Sequence, residues 1–309
     1  MPDIVIMFFV LGVVAGIAKS DLKVPQAAYD TLSILLMITL GLKGGLALHG
    51  QVSWQLLPEV ITVLLIGAAI PLALYPLLKR LVGLNTANSA SLAAHYGSTS
   101  AGTFAVAIAY AEYHNLSIAP QTTLYLVLLE LPAIVVGILL YHRLSKSTHS
   151  AASMWHEALT SKGVVLLVGG VIIGYIYGPD KSHSVSAVFL GAFKALLALF
   201  LLEMGRCASK YLHPLPVKHW RVAVFALVVP PILGLTGIAA GVILDLPQGT
   251  TLVLAALTAS ASYIAAPAAI RSAIKDADIG QAIFASLGVT FPFNVLLGIP
   301  LYWQIIKHL

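Results

Sequence analysis

The sequence predicts an all-α polytopic membrane protein: ten transmembrane helices in two inverted five-helix repeats, with broken helices at spans 4 and 9. Low charge, long apolar runs and two matched polar interruptions support this fold class. Hydrophobic residues make up 59% of the 309 residues and charged residues 9%, against about 25% charged residues in soluble domains. Lipid must therefore be the main solvent. This composition excludes a cytosolic enzyme, a secreted disulfide scaffold and a nucleic-acid-binding module.

Ten apolar runs are long enough to cross a bilayer, because a hydrocarbon core of about 30 Å needs about 20 helical residues. Asp3 precedes the first run, so we expect that run to be a retained helix rather than a cleaved signal peptide. The predicted spans are residues 2–18, 26–48, 55–78, 86–111, 118–141, 162–178, 184–206, 219–244, 247–270 and 281–306.

The basic residues give the expected orientation of these spans. Thirteen of the 17 Lys and Arg residues fall in the odd-numbered connections, whereas the termini and even-numbered connections carry only Lys181 and Lys307. Cytoplasmic loops are enriched in Lys and Arg. The bias therefore predicts a multi-pass protein with both termini outside and the central linker in the cytoplasm.

The chain divides into a first repeat over residues 1–143, a cytoplasmic linker over residues 144–161 and a second repeat over residues 162–309. Three segments match in the same order at offsets of 160–162 residues. The matches are LLMITLGLKG with LLALFLLEMG, LAAHYGSTS with LAALTASAS, and Pro132 with Pro292. Because five spans is an odd number, the second copy enters from the opposite side, as in many secondary transporters.

Spans 4 and 9 each carry a polar interruption at matched positions, Ser98/Ser100 and Ser260/Ser262. Glycine and proline weaken both helices there. A half-helix that starts at a break offers free N–H groups to an anion, and one that ends there offers carbonyls to Na⁺. Small polar residues also serve helix packing, which is the alternative reading of any single serine.

Ionisable side chains inside the spans are further candidates, because they are costly in lipid. Glu130 lies mid-span and has two readings, an ion-coupling role or a structural hydrogen bond. His95 is read either as a buried neutral histidine or as a proton relay. Lys43 could extend outward to water or attract an entering anion. No metal other than Na⁺ and no cofactor are expected.

The remaining charges have simpler expected roles. Glu203 and Arg206 lie one turn apart and should pair locally. Asp30 and Glu59 lie near span ends and should be solvated. Cys207 is the one cysteine of the chain, which permits no internal disulfide and no cysteine-based metal cage.

Five motifs resemble the sodium-dependent bicarbonate transporter family, and the resemblance covers nearly the whole chain. They are GLKGG at 41–45, AHYGSTSAGTF at 94–104, ELPA at 130–133, ASASYIAAPAA at 259–269 and TFPFN at 290–294. The resemblance implies a core domain and a gate domain, a homotrimer in a bacterial inner membrane, and import of bicarbonate with Na⁺ by an elevator-like movement. It also implies a PII-like regulatory protein on the cytoplasmic side.

Carried over by position, Gly97, Ser98 and Thr99 match the first motif of the family, and Ser260 and Ser262 match serines of the second. Together with the pattern of the breaks, this gives two sets of candidates. The candidate substrate-binding residues are Gly97, Ser98, Thr99, Ser100, Ser260, Ser262 and Tyr263, and the candidate ion-coupling residues are Ser98, Thr103, Glu130 and Ser262.

Two alternatives remain open, the first of which follows from a departure from the family. Tyr263 stands where the cyanobacterial transporters carry an aspartate, which is a natural Na⁺ ligand. The first alternative is a transporter of another small carboxylate or anion with H⁺ coupling through Glu130 or His95. The second is a membrane-embedded hydrolase, in which His95 would activate Ser98 as a nucleophile from three residues away.

Overall fold

A computed structural model describes residues 4–22, 24–50, 54–145, 160, 162–212 and 219–309, and the regular structure in these ranges is helical. The predicted linker over residues 144–161 lies almost entirely outside the described residues. The helices with continuous bounds are α1 Ile4–Ile17, α2 Gln26–Leu48, α3 Leu57–Leu77, α4 Thr86–Gly97, α5 Ala101–Tyr113, α6 Leu124–Ser145, α9 Trp220–Ile243, α10 Gln248–Thr258 and α11 Ala265–Ala273.

The stretch Lys162–Leu212 contains two helices that meet at Gly178, which we call α7 (162–177) and α8 (179–212). Gly178 has φ 63° and ψ 178°, a backbone conformation open essentially only to glycine. The apolar part of the stretch Lys162–Leu212 is Val165–Lys210, which has 46 residues. As a straight helix it would measure about 69 Å, more than twice a bilayer core. The bend at Gly178 divides it into α7, which matches the predicted span 162–178, and α8, which extends beyond the predicted span 184–206 at both ends.

Two further helices contain wide turns next to their prolines. The helix α3 continues as a π-helical turn over Leu78–Val82 and ends at Gly83, which has φ 80°. The last helix, α12 (Ile279–Ile306), passes through π-helical segments at Phe284–Thr290 and Asn294–Gly298. Proline lacks the amide hydrogen that an α-helical turn requires, so Pro292 and Pro300 account for the irregular ladder of α12.

The class of fold is confirmed at the level of an all-helical membrane protein. Six helical stretches of the described chain are long and apolar enough to cross a bilayer, and α1 and α10 are shorter apolar helices. The four short helices α4, α5, α10 and α11 correspond in position to the predicted broken spans 4 and 9.

Helices α1, α2, α7 and α8, here called the frame helices, pack closely on one another. Glycines allow these helices to cross at short backbone distances. A Cβ atom on Gly45 of α2 would lie 2.1 Å from the Val171 carbonyl oxygen of α7. A Cβ atom on Gly205 of α8 would lie 2.1 Å from the Phe9 carbonyl oxygen of α1. Backbones approach this closely only where one partner has no side chain.

The two crossings have the same construction. The Gly45 Cβ position would also lie 2.8 Å from the Tyr175 amide nitrogen, and the Gly205 position 2.8 Å from the Val13 amide nitrogen. Gly45 and Gly205 are 160 residues apart, and the residues they face are 162 apart. The offset found in the sequence therefore recurs as a repeated contact.

The other helices, α3–α6 and α9–α12, form a second set, here called the site helices. The helix α3 packs on α4 and α6, and α10 packs on α9 and α5. Small side chains allow α4 to lie against α6 and α11, where Ala90, Ala94, Ala266 and Ile134 are buried in one apolar cluster.

The charged residues only partly follow the sequence predictions. The local pair of Glu203 with Arg206 is confirmed. The prediction for Glu59 is wrong: this side chain is buried and accepts hydrogen bonds from Tyr125 and Gln121. Position along a span did not reveal that the start of α6 covers this end of α3.

Lys43 follows neither of its two predicted roles in full. Its ammonium group forms an ion pair with Glu112 at the end of α5 and lies 5.5 Å from the centre of the Phe193 ring. The pair is about one-third exposed on both sides. It joins a frame helix, α2, to a site helix.

Candidate functional site

Both predicted interruptions are present in the structure. The helix α4 ends at Gly97 and α5 begins at Ala101, and the connecting residues Ser98 and Ser100 have extended backbones. The helix α10 ends at Thr258 and α11 begins at Ala265. Each break separates a helix C-terminus, with free carbonyls, from a helix N-terminus, with free N–H groups.

The serines at the second matched position hold the new helix starts. The Ser100 hydroxyl accepts a hydrogen bond of 3.1 Å from the Thr103 amide, which caps α5. The Ser262 hydroxyl accepts a bond of 3.1 Å from the Ala266 amide in the first turn of α11. The first two amides of α5, those of Ala101 and Gly102, have no carbonyl one turn earlier, so among the described residues they remain free to meet an anion.

The two breaks are bonded directly to each other. The Ser100 amide donates to the Ser260 hydroxyl at 3.0 Å, and the Ser262 amide donates to the His95 carbonyl at 2.7 Å. Ser260 also donates to the Leu257 carbonyl at 2.8 Å. Ser260 is therefore a structural link between the two repeats as well as a predicted site residue.

A small cavity with room for about one water molecule lies at the junction of the two breaks. Five predicted residues line it, namely Thr99, Ser100, Glu130, Ser262 and Tyr263. The remaining lining residues are Met37, Ala101, Ile264 and Ala265. The structure thus brings the second-position serines of both breaks together with one carboxylate.

The other predicted residues lie in the same segments but do not line the cavity. Gly97 lies against Pro71 and Ala133, where a Cβ atom would come within 2.8 Å of both. Its absent side chain thus serves close packing of α4. Ser98, Thr103 and Ser260 are buried nearby.

Four buried oxygen atoms of the predicted site residues have no hydrogen-bond partner among the described residues: Ser98 Oγ, Thr103 Oγ1, Glu130 Oε1 and the Tyr263 hydroxyl oxygen. Glu130 is only 4% exposed. Buried polar atoms nearly always have a partner in folded proteins. The free oxygen on Glu130 favours the functional reading of this residue over a structural hydrogen bond.

His95 is buried, and its Nδ1 atom lies 2.7 Å from the Ser91 carbonyl, to which it must donate. In the neutral form of the ring, Nε2 is then an acceptor. Neither His95 Nε2 nor Ser98 Oγ has a hydrogen-bond partner in the described part of the chain. The nucleophile and base of the hydrolase alternative are therefore not bonded to each other.

Aromatic side chains close one side of the breaks. A Cβ atom on Gly102 would lie 2.2 Å from the Tyr263 hydroxyl oxygen and 3.2 Å from ring atoms of Phe200 and Phe291. The rings of Tyr263 and Phe291 meet edge to face at 5.3 Å. Phe200 belongs to the frame helix α8, so both helix sets contribute to this wall.

The sequence analysis missed a residue that supports the second break. The Asn294 side chain donates to the Ala259 carbonyl at 2.7 Å and accepts a bond from the Tyr302 hydroxyl at 3.1 Å. An asparagine in an apolar span is a signal of such a role. It lies in the TFPFN motif, whose chemistry was left unassigned.

Apolar helices interrupted around a small cavity with polar side chains are typical of membrane transporters, since lipid does not tolerate exposed non-helical backbone. The chain belongs to the Na⁺-dependent bicarbonate transporter superfamily, whose family model matches residues 4–307. The resemblance seen in the motifs is thereby confirmed, and the chain is a transporter rather than an enzyme. A search among curated proteins gives no match.

Proposed function

We propose that this chain imports bicarbonate, or a similarly small anion, together with Na⁺. The observation that carries the proposal is the small cavity where the N-terminus of α5, Ser100 and Ser262 of the two breaks, and the Glu130 side chain meet. Free amides and hydroxyls suit an anion, whereas a carboxylate suits a cation. Family membership supports Na⁺ as the coupling ion.

In this proposal Glu130 supplies the negative charge that Tyr263 does not. Glu130 is the only charged residue among those that line the cavity. Its unpartnered oxygen, with the free hydroxyls of Ser98 and Thr103, gives three oxygen atoms that could coordinate Na⁺. Ser262 would complete the ion-coupling set, because it also lines the cavity.

We further propose ten spans in two inverted repeats, with the frame helices as the gate domain and the site helices as the core domain. The repeated glycine crossings support the inverted repeat, because each crossing joins one helix of each half. An elevator-like movement would then slide the core along the gate. The Lys43–Glu112 ion pair would be made and broken during that movement, since it joins the two helix sets.

The location and assembly belong to the same proposal. The distribution of Lys and Arg supports an orientation with both termini outside, and a bacterial inner membrane location rests on the resemblance in the motifs. A homotrimer and docking of a PII-like regulatory protein from the cytoplasm rest on the resemblance in the motifs.

The decisive experiment is uptake of labelled bicarbonate into proteoliposomes of the purified protein, under an inward Na⁺ gradient and then with K⁺ in its place. Labelled Na⁺ uptake, with and without external bicarbonate, provides the reciprocal measurement, since coupling between two ligands is mutual. We expect each flux to depend on the other ion. Absence of coupled flux from folded protein would refute the proposal.

The variant Glu130→Gln separates the proposal from its alternative. It removes the charge but loses no hydrogen bond made by Oε1 among the described residues. With Na⁺ coupling, the variant should fold normally and lose Na⁺-driven uptake. Uptake that follows a pH gradient and ignores Na⁺ would instead support H⁺ coupling through Glu130, with another small carboxylate as a candidate substrate.

A further inference from the structure

An apolar groove lies between the end of α3 and the start of α9, away from the breaks. Its floor is built from buried side chains such as Phe225 and Val229. Its rim is exposed, with Leu81 70%, Val224 51% and Ile232 56% accessible. Its lining residues are Leu77, Leu81, Val82, Trp220, Arg221, Val224, Phe225, Val228, Val229 and Ile232.

The charge of the groove is confined to one end. Arg221 lines the groove beside Trp220, and its guanidinium carbon lies 5.6 Å from the centre of that ring. Lys79 and Arg80 lie on the adjoining π-helical turn of α3. None of these three basic residues forms an ion pair within the described ranges. The end of the groove at Arg221 therefore carries positive charge that no acidic side chain of the described residues neutralises.

The length of the groove fits one leaflet of a bilayer. From Trp220 to Ile232 the helix α9 rises about 18 Å at 1.5 Å per residue. One leaflet of a core of about 30 Å is about 15 Å thick. Tryptophan and arginine at one end are typical of the membrane–water boundary. The basic end thus lies at headgroup depth and the apolar part at acyl-chain depth.

We propose that this groove binds one anionic phospholipid of the leaflet at the start of α9. An acyl chain lies along Val224, Val228 and Ile232, and the phosphate accepts hydrogen bonds from Arg221. Lys79 and Arg80 add attraction for the negative headgroup. Basic pockets between transmembrane helices are known to hold anionic headgroups. The positive end of the groove matches the charge of an anionic headgroup, which favours a lipid over a purely apolar helix from a second copy of the chain.

Native mass spectrometry of the purified protein tests this proposal. Micelles would contain phosphatidylglycerol and phosphatidylcholine with matched acyl chains. We expect the wild-type chain to retain phosphatidylglycerol preferentially. Arg221→Gln should weaken that retention about five-fold, from about 1 kcal/mol per basic residue near a headgroup. Arg271→Gln, an exposed basic site on α11, is the matched control and should change nothing.

A second variant tests the apolar part. Val228→Trp fills the groove without altering charge and should lower retention of both lipids. Equal retention of the two lipids by the wild-type chain, or no effect of Arg221→Gln, would overturn the proposal. So would a change of oligomer mass in Val228→Trp with lipid retention intact, since the groove would then be an interface between copies.

Discussion

Two serines of the breaks, Ser98 and Ser260, should respond differently to removal of their hydroxyl groups. Both are fully buried. Among the described residues, the Ser100 amide donates its hydrogen bond to the Ser260 hydroxyl, at 3.0 Å. Ser260→Ala should leave that amide buried and unpaired, at a cost of about 1–3 kcal/mol in the free energy of unfolding. Ser98 Oγ has no partner among the described residues, so Ser98→Ala should cost close to nothing.

The assay is denaturant-induced unfolding of both variants in the same micelles, alongside uptake in proteoliposomes. We expect Ser260→Ala to lose stability and uptake together, and Ser98→Ala to lose uptake alone. Equal destabilisation of both variants, or a Ser260→Ala protein as stable as the wild type, would refute this assignment of the two hydroxyls.

Three further predictions concern packing and charge. Gly205→Ala should lower the free energy of unfolding by at least about 3 kcal/mol, because its Cβ would lie 2.1 Å from a backbone oxygen. The control is Gly191→Ala in the same helix, whose Cβ would meet nothing within 4 Å. The yield of folded protein by size-exclusion chromatography should be lower for Gly205→Ala than for Gly191→Ala. Lys43→Glu and Glu112→Lys should each slow uptake, whereas the double exchange should restore it. The free energy of unfolding of each single variant should change by under about 1 kcal/mol, because the ion pair is partly exposed. Glu59→Ala should lower the free energy of unfolding by about 1.5–3 kcal/mol, because two donors lose a charged acceptor; an unchanged unfolding curve would contradict this.

Hydropathy and backbone-breaking residues were enough to locate the helices and both breaks. A predicted span of 281–306 compares with an observed helix of Ile279–Ile306. This success has a physical basis, because lipid forces apolar residues into helices and leaves polar ones only where protein encloses them. Ser100 and Ser262 line the cavity because polar side chains within a span are placed where protein, not lipid, surrounds them.

Contacts between distant segments could not be predicted in this way. Glu59 looked like a solvated residue at a span end, yet Tyr125, which is 66 residues away, covers it. The partner of Lys43 is 69 residues away on a different helix. Periodicity along one helix carries no information about which neighbour it meets. The same limit hid Asn294, whose acceptor is the Ala259 backbone carbonyl in the second break.

The bonds between the two breaks have a consequence for any attempt to divide this protein. Ser100 donates across to Ser260, and Ser262 donates back to His95. Neither half of the chain therefore contains a complete cavity, although each has its own five predicted spans. A chain cut in the connection after Ser145 would give two fragments with half a cavity each. Ligand binding should appear only when both fragments are expressed together.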